Sequence, residues 1–263
     1  MSKIIRLKNR FYADYFMPSK LGEYEKIIKW TIEEGYEHLT FREYYQRLMS
    51  DTLEVDKKYF INRHDIDTDV ATAKEFFKIE QKFGVFATYY FRHSTLDYDF
   101  MKELEAYGSE ASYHFEEIAD YCKQHHIKSK EEVFKNMSQI EELFSNNFKT
   151  IEKNLGKKLE TVCSHGDFVN RKLGIINNEL LKNSALREEL GIRCETYDTE
   201  VKEGFDAYVS DGTFSMGDKA EDILKLFQEK NVVCMLSHPR EWCSSVVANT
   251  KENLKRIYEG VLW

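Results

Sequence analysis

Apolar positions along this chain cluster into short aromatic or β-branched runs, separated by longer stretches with helical spacing. Tyr59-Phe60-Ile61 is one such run, and it turns polar at Arg63, His64, Asp65 and Asp67. A buried parallel strand reads as a near-continuous apolar run, so the pattern predicts a strand with a polar C-terminal end. Alternation puts Asp65 and Asp67 on one face and Ile66 on the other. Asp69 is placed to N-cap a helix over Val70 to Phe83. Gly84 ends that helix, and a strand pattern runs on to Phe91. Further strands are predicted over residues 110–114, 159–164, 192–195, 207–210 and 232–237. Helices are predicted over 98–107, 130–155, 177–190, 249–258 and from an Asp218 N-cap to Lys230. Residues 1–55 read as helical and peripheral, with one helix over 21–34 and a second N-capped by Thr40.

Strand and helix patterns therefore alternate, which predicts an α/β fold with a parallel sheet and crossover helices. No repeat and no Pro-, Gly- or Ser-rich linker interrupts the pattern. One domain over 56–263 with an N-terminal extension over 1–55 is the simplest division of the 263 residues. The extension is expected to pack on the main domain or to make a contact in a homo-oligomer. With 42% hydrophobic and 32% charged residues, the chain has the composition of a globular protein. A net charge of -8 argues against nucleic acid as a partner, since no basic excess exists to neutralise phosphates. No apolar run is long enough for a membrane span or a secretion signal, so a cytoplasmic location is expected. The five cysteines are odd in number and form no C-x-x-C pair. Cys163 and Cys234 lie in apolar strand runs and read as reduced core thiols.

Candidate chemistry gathers at predicted strand ends: Asp65 and Asp67, His114, His165 and His238, with Asp211 on another. In a parallel α/β sheet these ends share one rim, where sites are built. An isolated D-x-D reads more readily as a turn with an N-cap, and a single histidine as structural. Together they describe an Asp and two histidines around a divalent ion. A second Asp can then serve as general base and a further His as general acid. His38, His93, His125 and His126 read as incidental.

The residues also carry a family resemblance over about residues 58–242. Arg63-His64-Asp65-Ile66-Asp67 resembles the first motif of the polysaccharide deacetylases with a NodB-homology domain, carbohydrate esterase family four (CE4). Residues 86–91 resemble that family's A-T-F-F strand. Residues 108–114 resemble its G-x-E-I-G-x-H approach to a metal histidine, and Leu236-Ser237-His238-Pro239 its late L-x-H motif. The branch it looks most like is a cytoplasmic one found with surface-polysaccharide biosynthesis. The resemblance implies a distorted (β/α) barrel of seven strands. It implies hydrolysis of an acyl group, acetyl foremost, from an amino sugar. Asp65 would be the catalytic base and His238 the acid, with Asp67 and His114 holding the metal. Zinc is the expected ion, with nickel, cobalt, manganese or iron as other occupants. The substrate would be a carbohydrate or nucleotide sugar.

Two departures from the family pattern matter. The second metal histidine, four residues after the first, is Ile118 here. The Arg-x-Pro-x-Gly segment is replaced by Ser164-His165-Gly166-Asp167. His165 is therefore expected to supply the missing ligand, with Glu117, one turn along from His114, as the other candidate. Arg63, His64, Glu117, Asp211, Arg240 and Trp242 are expected to contact substrate, the last three gripping the sugar or a nucleotide diphosphate carrier. A non-catalytic sugar-binding relative and a metal-dependent phosphoesterase are the competing readings.

Overall fold

The computed structural model describes residues 3–214 and 218–263. Its core is one parallel sheet of eight strands. They are β1 (Tyr36–Leu39), β2 (Lys58–Ile66), β3 (Thr88–Phe91) and β4 (Glu110–Phe115), followed by β5 (Thr161–Ser164), β6 (Cys194–Glu195), β7 (Ala207–Ser210) and β8 (Val232–Ser237). The order is β6-β5-β4-β3-β2-β8-β7, with β1 joined to β2. Strand β2 pairs with β8 along one edge, and with β1 and then β3 along the other. Among the described residues β6 and β7 do not pair, so the sheet curls into a distorted barrel that stays open on one side. Helices cover its outer face.

Alternation along each strand sorts the side chains. Tyr59, Ile61, Tyr90, Cys163, Cys194 and Cys234 turn inward and pack in one cluster with Phe41 and Tyr44. Phe60, Val233 and Met235 turn outward against Tyr24, Ile27 and Phe76. Helix Phe41–Met49 plugs the bottom of the interior. Thr40 caps it in a reciprocal pair with Glu43, and the Phe41 amide donates to Thr88 Oγ1 at 2.6 Å.

Outside the sheet, a buried carboxylate organises the side of β2 that faces the helices. Glu80 Oε1 accepts from Tyr24 Oη at 2.6 Å and Asn62 Nδ2 at 3.1 Å, and lies 2.7 Å from His64 Nε2. Tyr89 Oη donates to Oε2 at 2.6 Å. Every member of this network is fully buried, and each makes at least one hydrogen bond there, while Asn62 Oδ1 and His64 Nδ1 have no partner.

Several elements differ from the sequence expectation. Residues 36–39, read as part of a helical extension, form β1 and belong to the sheet. Strand β3 begins only at Thr88, because Val85 and Phe86 lie in the approach from Gly84, ahead of the residues that pair. The long helix breaks at Asn136 into Lys130–Lys135 and Met137–Leu155. The segment after Asp218 forms only the short helix Ala220–Leu224. The closing helix is longer than expected, Val246–Leu262.

The N-terminal helix Lys3–Tyr15 lies against that closing helix. Asp14 makes the join: its carboxylate pairs with Arg240 and accepts from Asn253 Nδ2 at 2.9 Å, and its carbonyl accepts from Asn249 Nδ2 at 2.9 Å. No described helix is long and apolar enough to cross a membrane.

Candidate metal centre

The same alternation that fills the interior delivers the polar rim. Arg63 and Asp65 follow Tyr59 and Ile61 on the inner face of β2, and Asp67 lies one step beyond the strand. His114 lies on the inner face of β4. His165 follows Cys163 by two residues at the end of β5, and His238 follows Cys234 by four at the end of β8.

Asp67, His114 and His165 bring their ligand atoms within 4.8 Å of one another. His114 Nε2 lies 3.3 Å from Asp67 Oδ1, and His165 Nε2 lies 3.8 Å from the same oxygen. The two imidazoles stack with centroids 5.0 Å apart and planes 7° apart. His114 Nδ1 is 3.0 Å from the Cys163 carbonyl. A carbonyl only accepts, so Nδ1 carries a proton and Nε2 faces the centre. Asp67 Oδ1 and both ring nitrogens of His165 are buried without a hydrogen-bond partner. Buried polar atoms are nearly always satisfied, so the orphan Asp67 Oδ1 with the orphan Nε2 of His165 beside it fits a cation at that point.

The charges agree with that fit. Burial opposes ionisation of Asp67, yet His165 and His114 drive its carboxyl well below the usual range. Burial likewise opposes charge on His114, which neighbouring groups including Asp65 and Asp67 nonetheless push well above its ordinary value. Burial and the nearby His114 hold His165 neutral. Ionised Asp67 and neutral His165 each have a lone pair to offer there. A carboxylate with two imidazoles is a donor set for zinc or a similar divalent ion.

Asp65, His114 and Cys163 form a second group with ligand-like spacing. Its donors are already engaged. Arg63 grips Asp65 with two hydrogen bonds, Nε to Oδ1 at 2.9 Å and Nη2 to Oδ2 at 2.7 Å. Arg63 Nη2 also approaches Cys163 Sγ at 2.7 Å and Tyr197 Oη at 3.0 Å. Burial raises the Cys163 thiol above its ordinary value. The first group is therefore the better cation site.

No family model matches the chain, and no curated protein does. Among solved structures, the Streptococcus pyogenes deacetylase PplD in complex with acetate aligns over 87% of this chain and 93% of that one, at 12% identity and TM-score 0.52. The chain has the fold of that deacetylase. A mutant of the peptidoglycan deacetylase PdaC from Bacillus subtilis also aligns, over 79% of this chain and 87% of that one, at 14% identity and TM-score 0.45. So does a CE4-family pseudoenzyme from Bacillus anthracis, over 78% of this chain at 14% identity and TM-score 0.46. This chain spans 61% of that pseudoenzyme, and 65% of its mutant with restored activity.

On this deacetylase fold, Asp65 faces the centre without a place in the first ligand group. Its Oδ2 lies 3.5 Å from His114 Nε2. Burial would raise its carboxyl, but Arg63 and His114 bring it down to about 2, so it stays ionised. His238 stands at the end of β8 with its side chain 22% exposed. Asp211, at the end of β7, fixes it: Oδ1 lies 2.7 Å from Nδ1, and Oδ2 accepts from the His238 amide at 2.5 Å. Burial opposes the charged ring, but Asp211 outweighs it and pushes the His238 pKa up to about 9.

The residues expected to touch substrate are mostly occupied elsewhere. Asp211 holds His238 and accepts from Trp242 Nε1 at 2.9 Å. Trp242 is 2% exposed, with its ring against Tyr24 and Phe76. Arg240 is committed to Asp14, and Arg63 to Asp65. His64 points the other way, into the Glu80 network. Glu117 is turned out toward helix Met137–Leu155, where Tyr113 Oη and Asn147 Nδ2 donate to it, the latter at 3.0 Å. Burial pushes its carboxyl up to about 7.

Two supporting residues escaped the sequence reading. Cys163 carries the carbonyl that orients His114, and period-2 spacing from His165 was the available signal. Arg92 lies beneath Asp67: Nη1 donates to its carbonyl at 3.1 Å while Glu116 takes Nε and Nη2, each at 2.8 Å. Nothing in its sequence context marks it.

Proposed function

We propose that this protein is a metal-dependent hydrolase that removes an acyl group, acetyl foremost, from an amino sugar or sugar conjugate in polysaccharide biosynthesis. The carrying observation is the division of labour at the rim. Three groups with unsatisfied or outward-presented donors share one point, while a fourth, ionised Asp65, is held beside them by Arg63.

Asp67, His114 and His165 would hold the ion, which when bound polarises the acyl carbonyl and makes water more acidic. Asp65 accepts the proton of the attacking water. Arg63 keeps that carboxylate ionised and fixes its direction. His238 donates a proton to the departing amine, a poor leaving group unless protonated. Asp211 keeps the proton on His238 and orients its ring, leaving Nε2 for the substrate. Asp65 and His238 favour catalysis over mere sugar binding, because binding alone needs neither a base nor an acid.

Acetate release from a panel of N-acetylated saccharides, with and without chelator, tests the proposal. Release that depends on added metal is expected. Binding of metal and sugar without release on any member would favour a non-catalytic role.

A pH prediction follows from the Asp211–His238 pair. The His238 pKa of about 9 lies above the ordinary histidine value, so the ring is charged below it and loses its proton above it. Activity should therefore fall as pH rises through that region. In Asp211→Asn the alkaline limb should move down toward the ordinary value of about 6.5. An unmoved limb in the kcat profile would remove His238 as the acid held by Asp211.

A further inference from the structure

A cleft of about 610 Å³ opens between the N-terminal helix Lys3–Tyr15, the C-terminal helix Val246–Leu262 and the helix Phe168–Leu173. Four cations line it: Arg10, Arg171, Lys172 and Arg256. Among the described residues Asp14 is its one lining carboxylate, and that group is already bound by Arg240 and Asn253. The chain as a whole carries a net charge of -8, so this concentration of positive charge is local and opposite to the composition.

Two of the cations share their carboxylates with other cations, and two have none among the described residues. Arg256 Nε reaches Glu252 at 2.8 Å, but Glu252 is shared with Arg92. Arg10 Nε stands 3.6 Å from the engaged Asp14. Burial and the like charges of Arg240 and Arg256 lower the Arg10 pKa. Lys172 faces only rings, 5.4 Å from Phe168 and 4.9 Å from Trp263. No carboxylate pairs with Arg171 or Lys172 among the described residues. Such crowding of like charge costs stability unless an anion relieves it.

The wall chemistry narrows the anion. Guanidinium forks match phosphate oxygens in pairs, and three of the four cations are arginines. Beside them, Phe11, Phe168 and Ile257 give an apolar wall, with Phe11 58% and Ile257 63% exposed. A charged head with an apolar or ring-bearing neighbour uses both halves of the cleft. We infer that this cleft binds a phosphorylated ligand, a phosphate monoester or diester attached to such a group. The inference does not rest on the hydrolytic reading, since none of the four cations belongs to that machinery.

The chemistry has two sources, a soluble phosphorylated sugar or nucleotide and a lipid headgroup. The test uses the full chain at an ionic strength near 0.15 M, where the screening length is about 8 Å and diffuse attraction is weak. One arm titrates inorganic pyrophosphate by calorimetry. The other measures co-sedimentation with phosphatidylglycerol vesicles against phosphatidylcholine vesicles. Saturable binding is expected in at least one arm, and Arg171→Ala/Lys172→Ala should weaken it about tenfold or more with unchanged melting temperature and metal content. Pyrophosphate binding assigns a soluble ligand, and binding confined to phosphatidylglycerol assigns a headgroup. The inference is overturned if neither probe binds. It is also overturned if the double variant binds like the native protein, which would put pyrophosphate at the metal centre, or if malonate binds as tightly as pyrophosphate.

Discussion

Asp65→Asn and His238→Ala are each expected to lose nearly all turnover on an N-acetylated sugar while keeping their metal. Amide hydrolysis needs a proton taken from water and a proton given to nitrogen. A positioned carboxylate and a positioned imidazole each contribute on the order of 10²–10⁴ in rate. The two substitutions differ in what they do to the fold. Among the described residues Asp65 is the only carboxylate paired with Arg63, and both are buried. Asparagine there leaves a guanidinium with Cys163 and Tyr197 but no counter-charge, and an unpaired buried charge is strongly destabilising. Asp65→Asn should therefore melt earlier, and its activity must be read well below that transition. His238→Ala carries little such penalty, because Asp211 keeps the amide of residue 238 and the Trp242 indole as donors. A loss of turnover in His238→Ala at native melting temperature is thus the cleaner result. Near-native turnover in both variants would refute the acid–base assignment.

The residues that the structure brings to one rim are those whose position follows from alternation along one strand. Asp65, Asp67, His114, His165 and His238 lie at inward steps of their strands, and period two is visible without a structure. What escaped sequence reading depends on neighbours chosen by the fold. Asp211 and His238 are 27 residues apart and meet only because β7 lies beside β8. Sequence spacing contains no strand order, so Asp211 read as a substrate contact. Arg240 meets Asp14 across 226 residues, through the packing of the two terminal helices. Strand β1 escaped for another reason. With four residues between two helical patterns, it has too few alternations to display a period, and its pairing with the first half of β2 is what makes it a strand. His64 shows the limit of motif reading. It stands between two inward residues of the resembling motif, and alternation alone sends it outward to Glu80.

His165→Ala is expected to lose metal as severely as Asp67→Ala and His114→Ala, measured by elemental analysis after equilibration with one equivalent of zinc. Each removes one of three protein donors around a single point. The loss should exceed the roughly 10–100-fold typical for removing an outer partner of a ligand. The family pattern would put the second histidine four residues beyond His114. That position is Ile118, wholly buried in the core beneath the helix Glu117–His125. A ligand there would have to turn away from the packing that holds the helix. The end of β5 offers a place without that conflict, because His165 already projects from the strand next to β4 and its ring nitrogens have no other partner. Glu117→Gln should keep its metal, since that carboxylate serves Tyr113 and Asn147. Full occupancy in His165→Ala would remove the residue from the site. If Cys163→Ser then lost the ion, the ion would belong lower in the barrel, among Asp65, His114 and Cys163, and Asp65 would cease to be a free base.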